Sequence, residues 1–382
     1  MSAMTKTKEA KLEDSLLERV RAIGPSLAAC GEAADATDGF VADNYPLLKE
    51  AGLIDAAVPV EFGGGGYEIR DISNMLGEVA KYCASTALAL SMHTHQVVAL
   101  AWRWKHQKAP VEPLLKRIAA ERIILVTSGG ADWVAGSGTA ERVDGGFKIT
   151  GRKIFASGSP IGDIFMTTAV LEEGGERHCL HFGIPMTSPN LKVVPTWQTM
   201  GMRGTASNDI SIEGHVVPEA AVGLKRKAGE WHTIFHVIGM IAIPTVYGVY
   251  LGIARNARDI AIGMAKKRRP DHHITSALGR MLMELRAAEL AHDAMLTAAE
   301  KGNPGHATTQ EVMTGRALVA RHAIASIEAA MEAAGGASYF RRNGLERCYR
   351  DIQGVRYHPM QTSQLVDYAG RIALGLPVET IY

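Results

Sequence analysis

The spacing of apolar positions predicts a helical region, then a region of strands, then a second helical region. Near the N-terminus, Leu16, Val20 and Ile23 recur at the intervals of one helix face. From about residue 122 the period changes to two, and turn signals such as Asp-Gly-Gly and Ser-Pro-Asn separate short apolar runs. Long, Ala-rich helical patterns return after residue 230.

The predicted strands cover residues 123–127, 147–149, 164–170, 179–184, 191–194 and 209–212. No helical pattern alternates with them, so a dinucleotide-binding parallel sheet is disfavoured and a compact antiparallel β-domain is expected. The sequence therefore predicts an α+β protein with a helical domain at 1–120, a β-domain at 121–228 and a second helical domain at 229–382.

One segment could be mistaken for a membrane span. Residues 231–254 contain no Asp, Glu, Lys or Arg, and about 20 apolar residues can cross a bilayer. However, Pro244 interrupts the run and it contains His232 and His236. We interpret it as a helix buried on all sides in a helical bundle and expect no membrane association.

Composition and charge exclude several classes of protein. Hydrophobic residues make up 47% of the chain and charged residues 21%, which is typical of a folded protein. The net charge of +1 supplies no basic field for nucleic acid. The four cysteines are widely spaced and the N-terminus lacks the apolar core of a signal peptide, so we expect a cytoplasmic protein without disulfides.

Two kinds of catalytic site are disfavoured. His93 and His95 are two residues apart and would point to different faces of a helix, so no metal site is expected there. Either could face the same cavity as His358, but both are more simply interpreted as structural. Ser157 and Ser159 flank Gly158 in a strand-rich stretch, which is the wrong context for a hydrolase nucleophile.

Five segments in a fixed order resemble the acyl-CoA dehydrogenase superfamily of flavoproteins. They are VPVEFGGGGY (58–67), RIILVTSGGADWVAGSGTAE (122–141), GFKITGRKIFASGSP (146–160), TWQTMGMRGTASNDISIEGHVVPE (196–219) and LERCYRD (345–351). The resemblance implies an N-terminal α-helical domain, a central antiparallel β-barrel-like domain and a C-terminal four-helix bundle.

The resemblance also implies where a flavin would bind. The family's strand segment Trp-Ile-Thr/Ser-Asn matches Phe155 to Ser157, so Phe155 would form an aromatic wall and Ser157 would place its hydroxyl beside N5. Val126 and Thr127 match the strand that contacts the pyrimidine end of the ring. The expected cofactor is FAD, with FMN as the alternative.

The adenosine arm of FAD lies between subunits in the family. By resemblance, Arg268 or Arg269 in KKRRPDHH would bind the pyrophosphate, and Gly335 and Gly336 would allow close backbone approach. The family's Gln is Glu332 here, which would repel a pyrophosphate. A shared cofactor site implies a homo-oligomer, either a dimer or a tetramer.

The chain departs from the dehydrogenases at the catalytic base. In the family the base is a Glu, located either shortly after the Arg-Asp pair or on the long apolar helix. Here no Glu stands at either place, and His358 lies where the Glu after Arg350-Asp351 would be. A His-Pro pair at this place resembles the type-2 C-terminal domain, which unusual dehydrogenases share with two-component flavin monooxygenases. His358 is therefore the candidate catalytic base.

Three functions are compatible with these features. The first, favoured by its frequency within the fold, is a dehydrogenase that oxidises a CH–CH bond of an acyl thioester or similar substrate by hydride transfer to flavin. The second is a reduced-flavin-dependent monooxygenase with a His base. The third is a flavin-fold binding protein without catalysis. In all three the partner is a small molecule, which for the first would be an acyl-CoA.

Overall fold

The computed structural model describes residues 15–269 and 271–378. The N-terminal helices, listed in chain order as α1 to α5, are Leu16–Thr37, Asn44–Glu50, Ile69–Tyr82, Ala84–Gln107 and Glu112–Glu121. Ser15 and Glu18 form a capping box at the start of α1. The glycine-rich run between α2 and α3 is a tight turn, in which the backbone of Gly64 lies against the carbonyl of Val58.

The central region is one sheet with a short helix, α6 (Gly130–Ala135), after its first strand. Strands β1 to β8 are Leu125–Thr127, Thr139–Val143, Gly146–Ala156, Ile164–Glu173, Glu176–Pro185, Leu191–Val194, Asn208–Pro218 and Leu224–Lys227. Their order is β6-β7-β3-β2-β4-β5-β8, and β1 also pairs with β4.

The sheet is mixed rather than purely antiparallel, which refines the predicted architecture. Strands β1 and β2 both run parallel to β4, whereas the other pairs are antiparallel. The chain leaves β1 through α6 and returns through the β2–β3 hairpin, so this connection is long enough for a parallel arrangement. Alternating apolar residues of β3, β4, β5 and β7 form a separate core within this domain.

The C-terminal region is a helical bundle. Helices α7 to α11 are Ile234–Ala265, His272–Glu300, His306–Ala334, Leu345–Ile352 and Thr362–Leu374. Helix α7 contains most of the apolar run and is the one helix of the described chain that is long and apolar enough to cross a membrane. However, 78% of its most apolar window is buried within the protein, so packing accounts for its composition.

Close contacts hold α7 against α3. A Cβ atom on Gly252 would lie 2.1 Å from the carbonyl oxygen of Gly77, and one on Gly248 would lie 2.5 Å from the Ser73 hydroxyl. Helix backbones can approach this closely only where side chains are absent. The three-part architecture follows the predicted order, whereas the predicted domain limits at 120 and 228 stay a prediction.

Candidate active site

An open aromatic surface lies at the end of β3. Phe155, the next-to-last residue of β3, has a φ of +58° and is 52% exposed. Its ring packs edge-on against Trp197, with centroids 6.0 Å apart, and touches Gly129, where a Cβ would lie 3.4 Å away. Exposed aromatic surface in a strained backbone conformation is typical of a ligand site, and it fits the predicted wall for a flat ring.

A chain of hydroxyl groups joins Ser157 to the Met202 carbonyl. The Thr205 hydroxyl lies 2.9 Å from that carbonyl and 2.8 Å from the Ser207 hydroxyl, which is 2.7 Å from Ser157. A hydroxyl has one proton, so when Thr205 donates to Met202, Ser207 can donate to Thr205 and Ser157 to Ser207. In that orientation the remaining lone pairs of Ser157 accept a hydrogen bond from a ligand. Ser159 instead donates to the Ala206 carbonyl, which is a structural contact.

The predicted strand segment at Val126 and Thr127 forms β1. Val126 is buried in the core of the β-domain, so only its backbone can face a ligand. The Thr127 hydroxyl accepts from the Trp133 indole at 2.7 Å and donates to the Ser128 carbonyl at 3.2 Å. The Thr127 hydroxyl therefore already has hydrogen-bond partners within the protein, Trp133 among them.

A buried ion pair holds the segment that follows β1 against β3. The Lys153 ammonium lies 2.9 Å from one Asp132 carboxylate oxygen and 3.1 Å from the other, and it donates to the Ser137 carbonyl. Burial lowers the pKa of Lys153, while the charge of Asp132 opposes that shift. This pair holds α6 against the end of β3, beside Phe155.

The predicted base, His358, lies in the loop after α10. Its Nε2 is 2.5 Å from the hydroxyl of Tyr250 on α7. Burial, together with the charge of Arg316, lowers the pKa of His358 to about 4, so the imidazole is neutral at pH 7. Burial also raises the pKa of Tyr250 well above its ordinary value, so both members of the pair are uncharged.

A glycine brings the His358 loop to the predicted flavin segment. A Cβ on Gly130 would lie 2.4 Å from Cγ of Pro359, so any larger residue at Gly130 would displace the loop. His95 on α4 also contributes to lowering the pKa of His358 and therefore lies near it. The structure thus assembles the candidate base from the C-terminal bundle, the N-terminal helices and the β-domain.

His93 and His95, both on α4, have different contacts. His93 bridges two segments, because its Nδ1 accepts from the Leu125 backbone N–H at 3.0 Å and its Nε2 donates to the Ile54 carbonyl at 2.9 Å. Burial lowers its pKa to about 4. His93 therefore anchors β1 to the N-terminal helices. His95 donates through Nδ1 to the Ser91 carbonyl at 2.7 Å, which leaves its Nε2 as an acceptor.

The carboxylate of Asp351 is committed elsewhere. It accepts from the Met202 backbone N–H at 2.6 Å, and burial raises its pKa to about 6. Arg350 pairs with both oxygens of Asp35 on α1, so this ion pair holds α10 against α1, whereas the Asp351–Met202 contact holds the loop before β7 against α10. Within residues 15–269 and 271–378, the charged groups that shift the pKa of His358 are Arg316 and His95, and none of them is a carboxylate.

The predicted adenosine-arm residues lie together at the end of α9. Arg268 donates to the carbonyls of Ala333 and Ala334, and a Cβ on Gly335 would lie 3.8 Å from its guanidinium. Arg269 is exposed, and a Cβ on Gly336 would meet open space. Glu332 forms an ion pair with Arg280 at 2.9 Å, which offsets the repulsion expected from that carboxylate.

Sequence reasoning assigned no role to Trp197, Tyr250 or the Thr205–Ser207 hydroxyls. Trp197 and the hydroxyls lie within the segment 196–219 that supported the resemblance, but their contacts with Phe155 and Ser157 join residues about 40 to 50 positions apart. Tyr250 lies in the apolar run 231–254, whose composition predicts burial but gives no signal that a phenol there contacts His358.

Comparisons with known proteins agree with this architecture. Family descriptions of the acyl-CoA dehydrogenase N-terminal, middle and C-terminal domains match residues 14–113, 127–215 and 245–362. The amino sugar nitrososynthase DnmZ of Streptomyces peucetius is 28% identical over 87% of this chain and 86% of that protein. The putative acyl-CoA dehydrogenase YdbM of Bacillus subtilis (strain 168) is 26% identical over 90% of this chain and 92% of that protein.

A solved structure provides a third comparison. KijD3, in complex with FMN and dTDP-3-amino-2,3,6-trideoxy-4-keto-3-methyl-D-glucose, superposes with a TM-score of 0.88 and is 26% identical, over 95% of this chain and 93% of that one. These comparisons confirm the resemblance, the fold class and the interpretation as a flavin-dependent enzyme. The chain therefore belongs to the acyl-CoA dehydrogenase superfamily.

Proposed function

We propose that this chain is the oxygenase component of a two-component flavin monooxygenase, which binds reduced flavin from a separate reductase and hydroxylates a small molecule. The hydrogen-bond polarity at Ser157 carries the proposal. In the proposed orientation Thr205 donates to the Met202 carbonyl, Ser207 to Thr205 and Ser157 to Ser207, so that Ser157 accepts from the flavin. The N5 atom of reduced flavin carries a hydrogen and donates, whereas N5 of oxidised flavin accepts, so this site is complementary to the reduced form.

The residues around Ser157 fit a flavin ring. Phe155 offers a half-exposed aromatic face, and the backbone of β1 at Val126 and Thr127 supplies a neighbouring edge. When bound, the reduced flavin supplies two electrons to O2, so that one oxygen atom enters the substrate and the other leaves as water. FMN and FAD both satisfy this chemistry, and Arg268 with Gly335 would hold the longer arm of FAD.

Tyr250 and His358 form the proton-transfer pair of the proposed reaction. In the proposed tautomer Nε2–H donates to the Tyr250 oxygen, so Nδ1 is the acceptor of the neutral imidazole and can take up the proton that a substrate amine or hydroxyl releases as its N–O or C–O bond forms. The phenol of Tyr250 orients the ring from α7. The substrate class is therefore a small molecule with an amine or hydroxyl group at or beside the reacting atom.

A dehydrogenase fits the described site less well. Removal of an α-proton from a thioester in this family uses a carboxylate, and Asp351 is committed to the Met202 backbone. The relatives themselves include both a nitrososynthase and a putative acyl-CoA dehydrogenase, so similarity alone does not separate the two reactions. The cytoplasmic location and a homo-oligomeric state remain part of the proposal, since a cytoplasmic reductase would supply the flavin.

Anaerobic titrations with reduced and oxidised FMN test the proposal. We expect the wild type to bind reduced FMN about tenfold more tightly, because one hydrogen bond is made only in that state. Thr205→Val frees Ser207 to donate toward Ser157 and should abolish the preference, whereas Ser159→Ala should keep it. Equal affinity for both forms in the wild type would contradict the proposal, and anaerobic bleaching of bound oxidised flavin by octanoyl-CoA would identify a dehydrogenase.

A further inference from the structure

A second polar site lies outside the residues assigned above. A cavity of about 480 Å³ opens between the C-terminal end of α4, the strand β8 and the first turns of α7 and α9. Its polar lining consists of Arg103, Gln107, His232, Thr233, His236 and His306. None of the described lining residues is Asp or Glu, so the cavity has cationic and hydrogen-bond-donating groups without an acidic counterpart.

Arg103 carries the fixed charge of this cavity. Its Nε donates to the Gln107 amide oxygen at 3.3 Å, and in the described chain no carboxylate forms an ion pair with it. Burial lowers its pKa, and no nearby acid offsets that effect. A partly buried guanidinium without a counter-ion favours binding of an anion, and its planar geometry suits phosphate.

Hydrogen-bond donors surround the guanidinium. His232 accepts at Nδ1 from the Ile234 backbone N–H, so its neutral ring carries a proton on Nε2 that it can donate. His306, whose Nδ1 bonds with the Tyr368 hydroxyl, packs edge-on against His236 with ring centroids 4.6 Å apart. Gly305 at the start of α9 offers no side-chain acceptor to the first backbone N–H groups of that helix.

The cavity adjoins the candidate active site. His181 lies close enough to both Arg103 and His232 that their charges lower its pKa. The His181 ring is 5.2 Å from that of Trp133, whose indole donates to the Thr127 hydroxyl. Two rings therefore separate the cavity from the strand beside which the flavin ring is proposed to bind.

We infer that this cavity binds a phosphate or diphosphate group of the substrate. The inference rests on the proposed function for the identity of the bound molecule as substrate. The phosphate of FMN has the same chemistry. However, the Trp133 and His181 rings lie between the cavity and Thr127 of the flavin segment.

Binding of inorganic pyrophosphate to the flavin-free protein, followed by isothermal titration calorimetry, tests this inference. Arg103→Gln should weaken binding about tenfold, because it removes a charge-assisted contact. Thr233→Glu should do the same by adding a negative charge at an exposed position of the rim, with little effect on folding. Arg117→Gln, an exposed arginine paired with Glu121 on α5, is the matched control and should bind as the wild type does.

Parallel titrations with FMN and riboflavin identify the source of the anion. If the site belongs to the substrate, Arg103→Gln leaves both flavin affinities unchanged. A loss confined to FMN would assign the cavity to the flavin phosphate and overturn the inference, as would equal pyrophosphate binding by Arg103→Gln and Arg117→Gln or no saturable binding by the wild type. These measurements do not depend on oxygenation, so they separate failure here from failure of the proposed function.

Discussion

At the residue scale, the chemistry of this site depends on which partner each polar atom already has. The role proposed for Ser157 as an acceptor depends on a chain of hydroxyl groups that ends at the Met202 carbonyl, and the residue type alone does not indicate it. Similarly, His358 is neutral because burial and Arg316 disfavour its charged form. A neutral imidazole paired with a phenol can accept a proton, which an imidazolium could not.

We predict that His358→Ala slows the return of bound, reduced FMN to its oxidised absorbance after mixing with O2 by about a hundredfold, because a proton-transfer group is lost. Tyr250→Phe should slow it less, by about tenfold, since the ring remains but loses its partner. FMN affinity should stay within about twofold of the wild type in both variants.

Tyr247→Phe is the control for these variants, because the Tyr247 hydroxyl donates to the Val355 carbonyl rather than to His358. It should react at the rate of the wild type. Stopped-flow absorbance gives all four rates, and an unchanged rate in His358→Ala would make His358 a structural residue.

At the element scale, the burial of α7 can be predicted from the sequence, whereas the residues that set its distance from α3 cannot. Its apolar composition predicts burial, and the structure buries it against α3, α8 and α9. The pattern does not reveal that Gly248 and Gly252 set the distance to α3, because the contact depends on the backbone of Gly77 and on Ser73.

We predict that Gly252→Ala lowers the free energy of unfolding by about 2 kcal/mol, because its methyl group would overlap the Gly77 carbonyl and force α3 and α7 apart. Gly263→Ala on the same helix meets open space and should be neutral or stabilising by up to about 1 kcal/mol. Urea unfolding curves compare the two variants, and equal effects would show that the close approach of α3 and α7 is not required for stability.

At the scale of the whole molecule, three long-range contacts assemble the site. Leu125 donates to His93, Gly130 packs on Pro359, and Met202 donates to Asp351. These contacts join α4, the β-domain and the segments around α10. Flavin binding and the position of the base should therefore be lost together when the packing of the domains is disturbed.

We predict that the melting temperature falls by about 5 °C or more as the pH drops from 7 to 5. Burial lowers the pKa of five histidines to about 4 in the folded protein: His93, His95, His236, His292 and His358. The unfolded chain, with ordinary values near 6.5, binds more protons in this range, so stability is present above pH 6.5 and is lost as the pH falls towards 4.

Asp351 acts in the opposite direction, since its raised pKa of about 6 makes the folded state bind a proton first, but it is one group against five. Differential scanning calorimetry at several pH values measures the balance. A melting temperature that is constant or rises between pH 7 and pH 5 would contradict this assignment of neutral, buried histidines.

The sequence by itself determined the order of helical and strand regions, the burial of the apolar helix and the segments that would meet a flavin. These features are local: periodicity and turn residues report on neighbours a few positions away. Phe155, Ser157 and Thr127 could be named because they stand within such short segments.

Only the tertiary structure decided which of those residues are free to act. The Thr127 hydroxyl accepts from Trp133, Ser157 lies in a hydroxyl chain that ends at the Met202 carbonyl, and Tyr250 contacts His358 across 108 positions of sequence. Protonation state and hydrogen-bond direction depend on burial and on partners far along the chain, and the distance between those partners is fixed by packing rather than by any local pattern.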